Sequence, residues 1–175
     1  MNTYKSPSLL LAYGAIITTL SILALYLSSI ISINTIFFLG LASCLIPLGV
    51  MLTNIKTGFI IYMSVTLLSF FLISDKSLVM FYGFFFGIYG LVKFYIENLN
   101  KTLLELILKF LFFNVSFALM YFIYENLFTN MISSILPVYA LVIIAQIGFL
   151  SYDYIITLFI AYVIKNILPK IQKLK

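Results

Sequence analysis

The strongest constraint on this chain is a succession of apolar runs, each long enough to cross a bilayer and parted from the next by a few polar residues. A helix needs roughly 20 apolar residues to span a hydrocarbon core about 30 Å thick, where every backbone N–H and C=O must be paired within the segment. Runs of this length and frequency predict an all-α, polytopic membrane helix bundle of about six transmembrane helices. They occupy all of residues 1–175, so one transmembrane domain and no soluble domain is expected.

The spacing places helices at Ser8–Ile33, Ile36–Thr53, Phe59–Ser74, Ser77–Leu99, Thr102–Thr129 and Ser133–Pro169. The connectors at Asn34-Thr35, Asn54–Gly58, Asp75-Lys76 and Asn100-Lys101 are short enough to join only antiparallel neighbours. The last segment is too long for one perpendicular crossing, since an unbroken helix over it would measure about 55 Å. A split at Ser151–Tyr154 would make a seventh helix and place the basic tail outside. We therefore expect one crossing plus a bent, re-entrant or interfacial piece, with regularity failing at Pro137, Gly148 or Asp153.

Charge sets the orientation. Only 9% of residues are charged, with ten lysines, no arginine and five carboxylates, and the lysines cluster at the ends of apolar runs. With both termini in the cytoplasm, Lys5, Lys56, Lys93, Lys101, Lys109, Lys165, Lys170, Lys173 and Lys175 lie on the inner side and only Lys76 on the outer, as the positive-inside rule requires. This is an anchoring pattern and not a nucleic-acid face, which would gather basic residues, arginine included, on one solvated element. The stretch Leu9–Ile33 exceeds a signal-peptide core and lacks an A-x-A exit, so it reads as a retained first helix.

Enzyme chemistry is not expected. Histidine is absent, which removes the usual ligand or base of zinc proteases and Ser-His hydrolases, and the single cysteine, Cys44, can form neither an internal disulfide nor a cysteine metal cluster. We assign no catalytic residue, metal ligand or cofactor. An intramembrane enzyme acting on lipid would need Asp153, Glu97 or Glu105 to converge on a polar pocket.

Six groups of residues could carry function. Gly83, Gly87 and Gly90 share one face of the fourth helix, either for close helix packing or to line a ligand cavity walled by Tyr82, Phe84, Phe85, Phe86 and Tyr89. Ser8, Ala12, Ala15 and Thr19 form a low ridge on the first helix, on which either a neighbouring helix or a second protein packs. Lys93, Glu97, Glu105 and Lys109 flank the turn between helices four and five as opposite-charge pairs four apart, and form either a functional network or snorkelling anchors. Asn114 and Gln146 lie deep in apolar segments and need partners across helices, as glue or as ligand contacts; the sequon at Asn114–Ser116 lies too deep for glycosylation. Asp153, between Tyr152 and Tyr154, is either paired with a lysine in the hydrocarbon or a turn residue near the interface. Glu125 and Asn126 close helix five beside Asp75 and Lys76, as a solvated loop or as the rim of an outer pocket.

This outline of six short-looped helices, a first helix rich in small residues and a basic tail resembles the substrate-binding S components of energy-coupling-factor vitamin transporters. The stretches F-Y-G-F-F-F-G-I-Y-G-L-V-K-F-Y-I-E and L-K-F-L-F-F-N also resemble a group of uncharacterised small membrane proteins of low-GC Gram-positive bacteria. The resemblance implies a multi-pass protein of the bacterial plasma membrane that takes up a small, vitamin-like metabolite. It further implies docking of Ala12 and Ala15, with Ser8 and Thr19, on a membrane coupling subunit served by ATPases, and a substrate held in the outer half by Tyr82, Phe85, Tyr89, Asn114 and Gln146. The alanine spacing here is three where that family usually has four. The chain has no P-loop, so ATP would be used by a partner. The rival reading is a non-transporting scaffold of the cell envelope, for which the same faces are protein contacts.

Overall fold

The computed structural model describes residues 6–99, 101–127 and 138–169. Six helices in it are long and apolar enough to cross a membrane. They are α1 (Pro7–Ile30), α2 (Thr35–Leu52), α3 (Ile55–Leu72), α4 (Lys76–Glu97), α5 (Thr102–Leu127) and α6 (Val138–Tyr162, extended by a π-turn over Val163–Ile167). The exterior is hydrocarbon: Phe71 and Leu103 are each 81% exposed, and similar side chains cover every face. Apolar exposure on this scale suits a surface surrounded by lipid and not by water.

Helix ends are set by local chemistry. Asn54 Oδ1 accepts the Thr57 N–H at 2.8 Å, so α3 begins at Ile55 and not at Phe59, and the expected Asn54–Gly58 turn is its first turn. Asp75 Oδ1 caps α4 by accepting the N–H groups of Ser77 (3.1 Å) and Leu78 (3.2 Å). Lys76 Nζ donates to the carbonyls of Ile73 (2.8 Å) and Phe70 (2.5 Å) at the end of α3, where a cation also complements the helix dipole.

The interior divides into two cores that share α4. Ile17 and Leu25 of α1, Ile46 of α2, Val65 of α3 and Tyr82 of α4 belong to the first. Tyr89 of α4, Phe113 of α5, and Phe149 and Ile156 of α6 form the second. Glycine lets α4 pack closely on the first core, because a Cβ at Gly90 would lie 2.7 Å from Pro47 Cδ of α2 and one at Gly87 2.8 Å from the Tyr82 ring. Between these contacts α4 widens into a π-turn over Tyr82–Gly87. Hydroxyls of three neighbouring helices cover two of its carbonyls: Tyr62 donates to Gly83 O at 2.9 Å, while Ser43 (2.6 Å) and Tyr152 (3.3 Å) donate to Phe86 O.

The last helix departs from expectation. It runs as one continuous α-helix through Gly148 and Asp153, so the helix does not break at either, and the spanning helices number six as expected. A single glycine weakens a helix interior by only about 1 kcal/mol, and Asp153 is satisfied by neighbouring helices. Pro137 and the tail from Lys170 onward lie outside the described residues.

Candidate functional site: a buried ring of charge

Three helices bring four ionisable side chains together near the α4–α5 turn. Lys93 lies one turn before the end of α4, with Glu97 as that helix's last residue; Lys109 is in the second turn of α5, and Asp153 is midway along α6. Lys93 Nζ meets Glu97 Oε1 at 2.9 Å and is in direct contact with Asp153 Oδ1. Lys109 Nζ closes the ring, at 2.9 Å from Glu97 Oε1 and 3.1 Å from Asp153 Oδ2. Two cations and two anions thus alternate, with no net charge.

The members differ in access. The Lys93 side chain is fully buried, that of Lys109 is 14% exposed and Asp153 19%, and Glu97 opens to the exterior at 35%. An isolated ammonium in hydrocarbon is strongly disfavoured, so Lys93 is tolerable only because hydrogen bonds saturate it. Its third partner is Thr157 Oγ1 at 2.8 Å, and Tyr89 Oη donates to Asp153 Oδ1 at 2.6 Å. The Thr157 hydroxyl is held in place by its own bond to Asp153 O, one helical turn back, at 2.9 Å.

Directly beside the ring is a wall of aromatic rings. Phe85 stacks on Phe112 at 6.3 Å and stands edge-on to Phe113 at 5.8 Å; Phe113 in turn stacks on Phe149 at 4.8 Å. Tyr89 and Tyr152 adjoin Phe85. Such contacts add about 0.5 to 1.5 kcal/mol per pair beyond burial and hold α4, α5 and α6 in fixed register around the charges.

Of the charged residues expected to act together, Lys93, Glu97, Lys109 and Asp153 meet and Glu105 does not. Glu105 is outside the ring: its carboxylate accepts the Lys101 N–H at 3.1 Å at the start of α5, leaving Lys109 to reach across to Glu97 and Asp153. Asp153 joins the network from within a helix and is not a turn residue. Of the five residues expected to hold a substrate, Tyr89 reaches the polar centre and Phe85 the aromatic wall, whereas Tyr82 is buried in the other core. Asn114 is exposed on the lipid side and donates to Phe110 O of its own helix at 2.8 Å, not across to another. Gln146 is half-buried. The polar convergence lies at the lysine-rich end of the bundle and not in the opposite half.

Gly83, Gly87 and Gly90 are all buried, and the atoms nearest their missing Cβ positions include Thr66, Tyr62 and Pro47 of α3 and α2. Ser8, Ala12, Ala15 and Thr19 are all exposed, so the ridge faces outward. The face of α1 turned inward is a second small-residue face, with Gly14, Ser21, Ala24 and Ser28. The side chains of Glu125 and Asn126 lie outside those described. Sequence reasoning missed Thr157, Ser43 and the contact of Ser43 with Tyr152; the available signal was a hydroxyl four residues from a buried acid, and a serine within an apolar run.

Comparison with known proteins gives no match: no protein family, curated protein or solved structure is significantly similar to this chain.

Proposed function

We propose that this protein is the substrate-binding membrane subunit of an uptake transporter for a small charged metabolite, energised by partner proteins, and that the ring of Lys93, Asp153, Lys109 and Glu97 receives the substrate's charged groups. The observation that carries the reading is the fully buried Lys93 ammonium, held between two carboxylates where three membrane helices cross. Buried ion pairs are often no more stabilising than apolar residues of the same volume, so packing alone does not account for four of them. Intramembrane ionisable groups mark substrate and ion paths by default. A metabolite carrying both an ammonium and a carboxylate can replace one edge of the ring and keep it neutral, and Glu97, its most exposed member, gives the way in. The outward ridge on α1 supplies a face for a coupling partner.

The test is thermal stability of the purified protein against a panel of small zwitterionic and anionic metabolites. A ligand at a hundred times its Kd should stabilise by about 2.7 kcal/mol, and Lys109→Gln should abolish the effect. The reading fails if no metabolite shifts the melting temperature.

A second reading, a scaffold of the cell envelope, draws on the aromatic wall: closely packed rings occupy the space between α4, α5 and α6 beside the charges. A scaffold needs such rigidity and no ligand. It predicts co-purification of a membrane partner with no metabolite response.

A further inference from the structure

A cleft of about 380 Å³ opens on the flank of the bundle between α3 and α4, lined by Ile55, Lys56, Phe59, Ile60, Leu91 and Tyr95. It is separate from the charge ring and lies at the same, lysine-rich end. Lys56 is its one charged residue and is exposed, and among the described residues no carboxylate is within ion-pair distance of it. The other two described lysines of this end that point into the bundle, Lys93 and Lys109, are neutralised by Glu97 and Asp153. Lys56 is also the second residue of an 18-residue helix, where free N–H groups and the helix dipole add positive potential. Below this mouth the lining is hydrocarbon and aromatic ring: Phe59 and Ile60 follow Lys56 by three and four positions on one face of α3, and Leu91 and Tyr95 face them at a spacing of four on α4.

We infer that this cleft is a binding site for an anionic phospholipid of the surrounding leaflet, with the headgroup phosphate at Lys56 and an acyl chain along Phe59, Ile60 and Leu91. The shape of the lining selects the ligand. A small soluble anion would engage the one cation and leave the apolar floor uncovered, whereas a lipid matches both parts at once. Tyr95, 63% exposed and two residues before the end of α4, is of the type that sits at membrane interfaces with its ring in hydrocarbon and its hydroxyl toward the headgroups. The opening faces the hydrocarbon, so the ligand enters sideways from the bilayer.

The full-length protein should be reconstituted in phosphatidylcholine vesicles with and without a phosphatidylglycerol fraction, and lipid retention measured by native mass spectrometry alongside melting temperature. Wild type should retain phosphatidylglycerol in preference to phosphatidylcholine. Lys56→Gln should weaken that preference about fivefold, the factor for roughly 1 kcal/mol per basic residue near an anionic surface, and Lys56→Arg should restore it. Lys101→Gln, at another exposed lysine of the same end, should leave it unchanged. Equal losses in the two glutamine variants would reduce the effect to general surface charge and overturn the site, as would no loss in either. Stabilisation by inorganic phosphate in pure phosphatidylcholine, matching that by phosphatidylglycerol, would overturn the lipid assignment in favour of a small anion.

Discussion

Lys93 of α4 and Asp153 of α6, 60 positions apart in the chain, are in direct ionic contact inside the bundle. The contact ties the last helix to the fourth, and Lys109 joins the fifth to both. Without the other, Lys93 Nζ keeps Glu97, Thr157 and a long 3.4 Å approach to Asp153 O, and Asp153 keeps Lys109 and Tyr89, but removing either one leaves the ring with an unbalanced charge.

That dependence makes the first prediction. Lys93→Met or Asp153→Leu alone leaves an uncompensated charge and should destabilise the protein by about 3 to 5 kcal/mol, whereas the double variant, in which Lys109 still pairs with Glu97, should recover most of the loss. Unfolding in mixed micelles measures all three variants. Simple additivity of the two single losses would show that the pair is not coupled.

Two glycines should respond oppositely to a methyl group. At Gly90 the added Cβ meets the rigid Pro47 ring at 2.7 and 2.9 Å, so Gly90→Ala should cost about 1 to 3 kcal/mol by overpacking. At Gly148 the same atom meets nothing within 4 Å, so Gly148→Ala should be neutral or stabilise α6 by up to about 1 kcal/mol. Melting temperatures of the two variants in one detergent decide it.

The exposed ridge on α1 gives a third outcome. Ala12→Leu with Ala15→Trp adds bulk to an exposed face, opposite the buried Gly14, Ser21 and Ala24, so the melting temperature should hold while any membrane partner seated there is lost from the purified complex. A destabilised double variant that retains its partner would place the docking face elsewhere.

Topology is testable without function. Six crossings and the lysine bias predict both termini in the cytoplasm. Reporter fusions at Lys5 and Lys175 should both be shielded from an impermeant label applied outside; labelling of either fusion in intact cells would contradict the assignment.

Apolar run length alone sufficed for the class and the six spanning helices, because in hydrocarbon the backbone must be helix or closed barrel, and continuous apolar runs of about 20 residues fit a helix and not a strand. Short polar connectors likewise dictated antiparallel neighbours. The starts of the first five helices were legible to within about a turn, that expected at Ser133 lying outside the described residues, and the miss at α3 came from reading Asn54 as a turn residue when its side chain was capping a helix. Partner choice was legible only in part: a network across the α4–α5 turn and a lysine for Asp153 were expected, but not which groups pair. The spacing of Glu105 and Lys109 suggested a pair, yet Lys109 reaches Glu97 and Asp153, which the packing of α4 and α6 brings to it, while Glu105 accepts the Lys101 N–H at the start of its own helix. Nor could spacing tell which small-residue face of α1 is inside. In a membrane both faces of a helix are apolar, so hydrophobic periodicity carries little information about the interior, and only the tertiary packing of α1 against α2 and α3 buries Gly14, Ser21 and Ala24 and turns Ala12 and Ala15 outward.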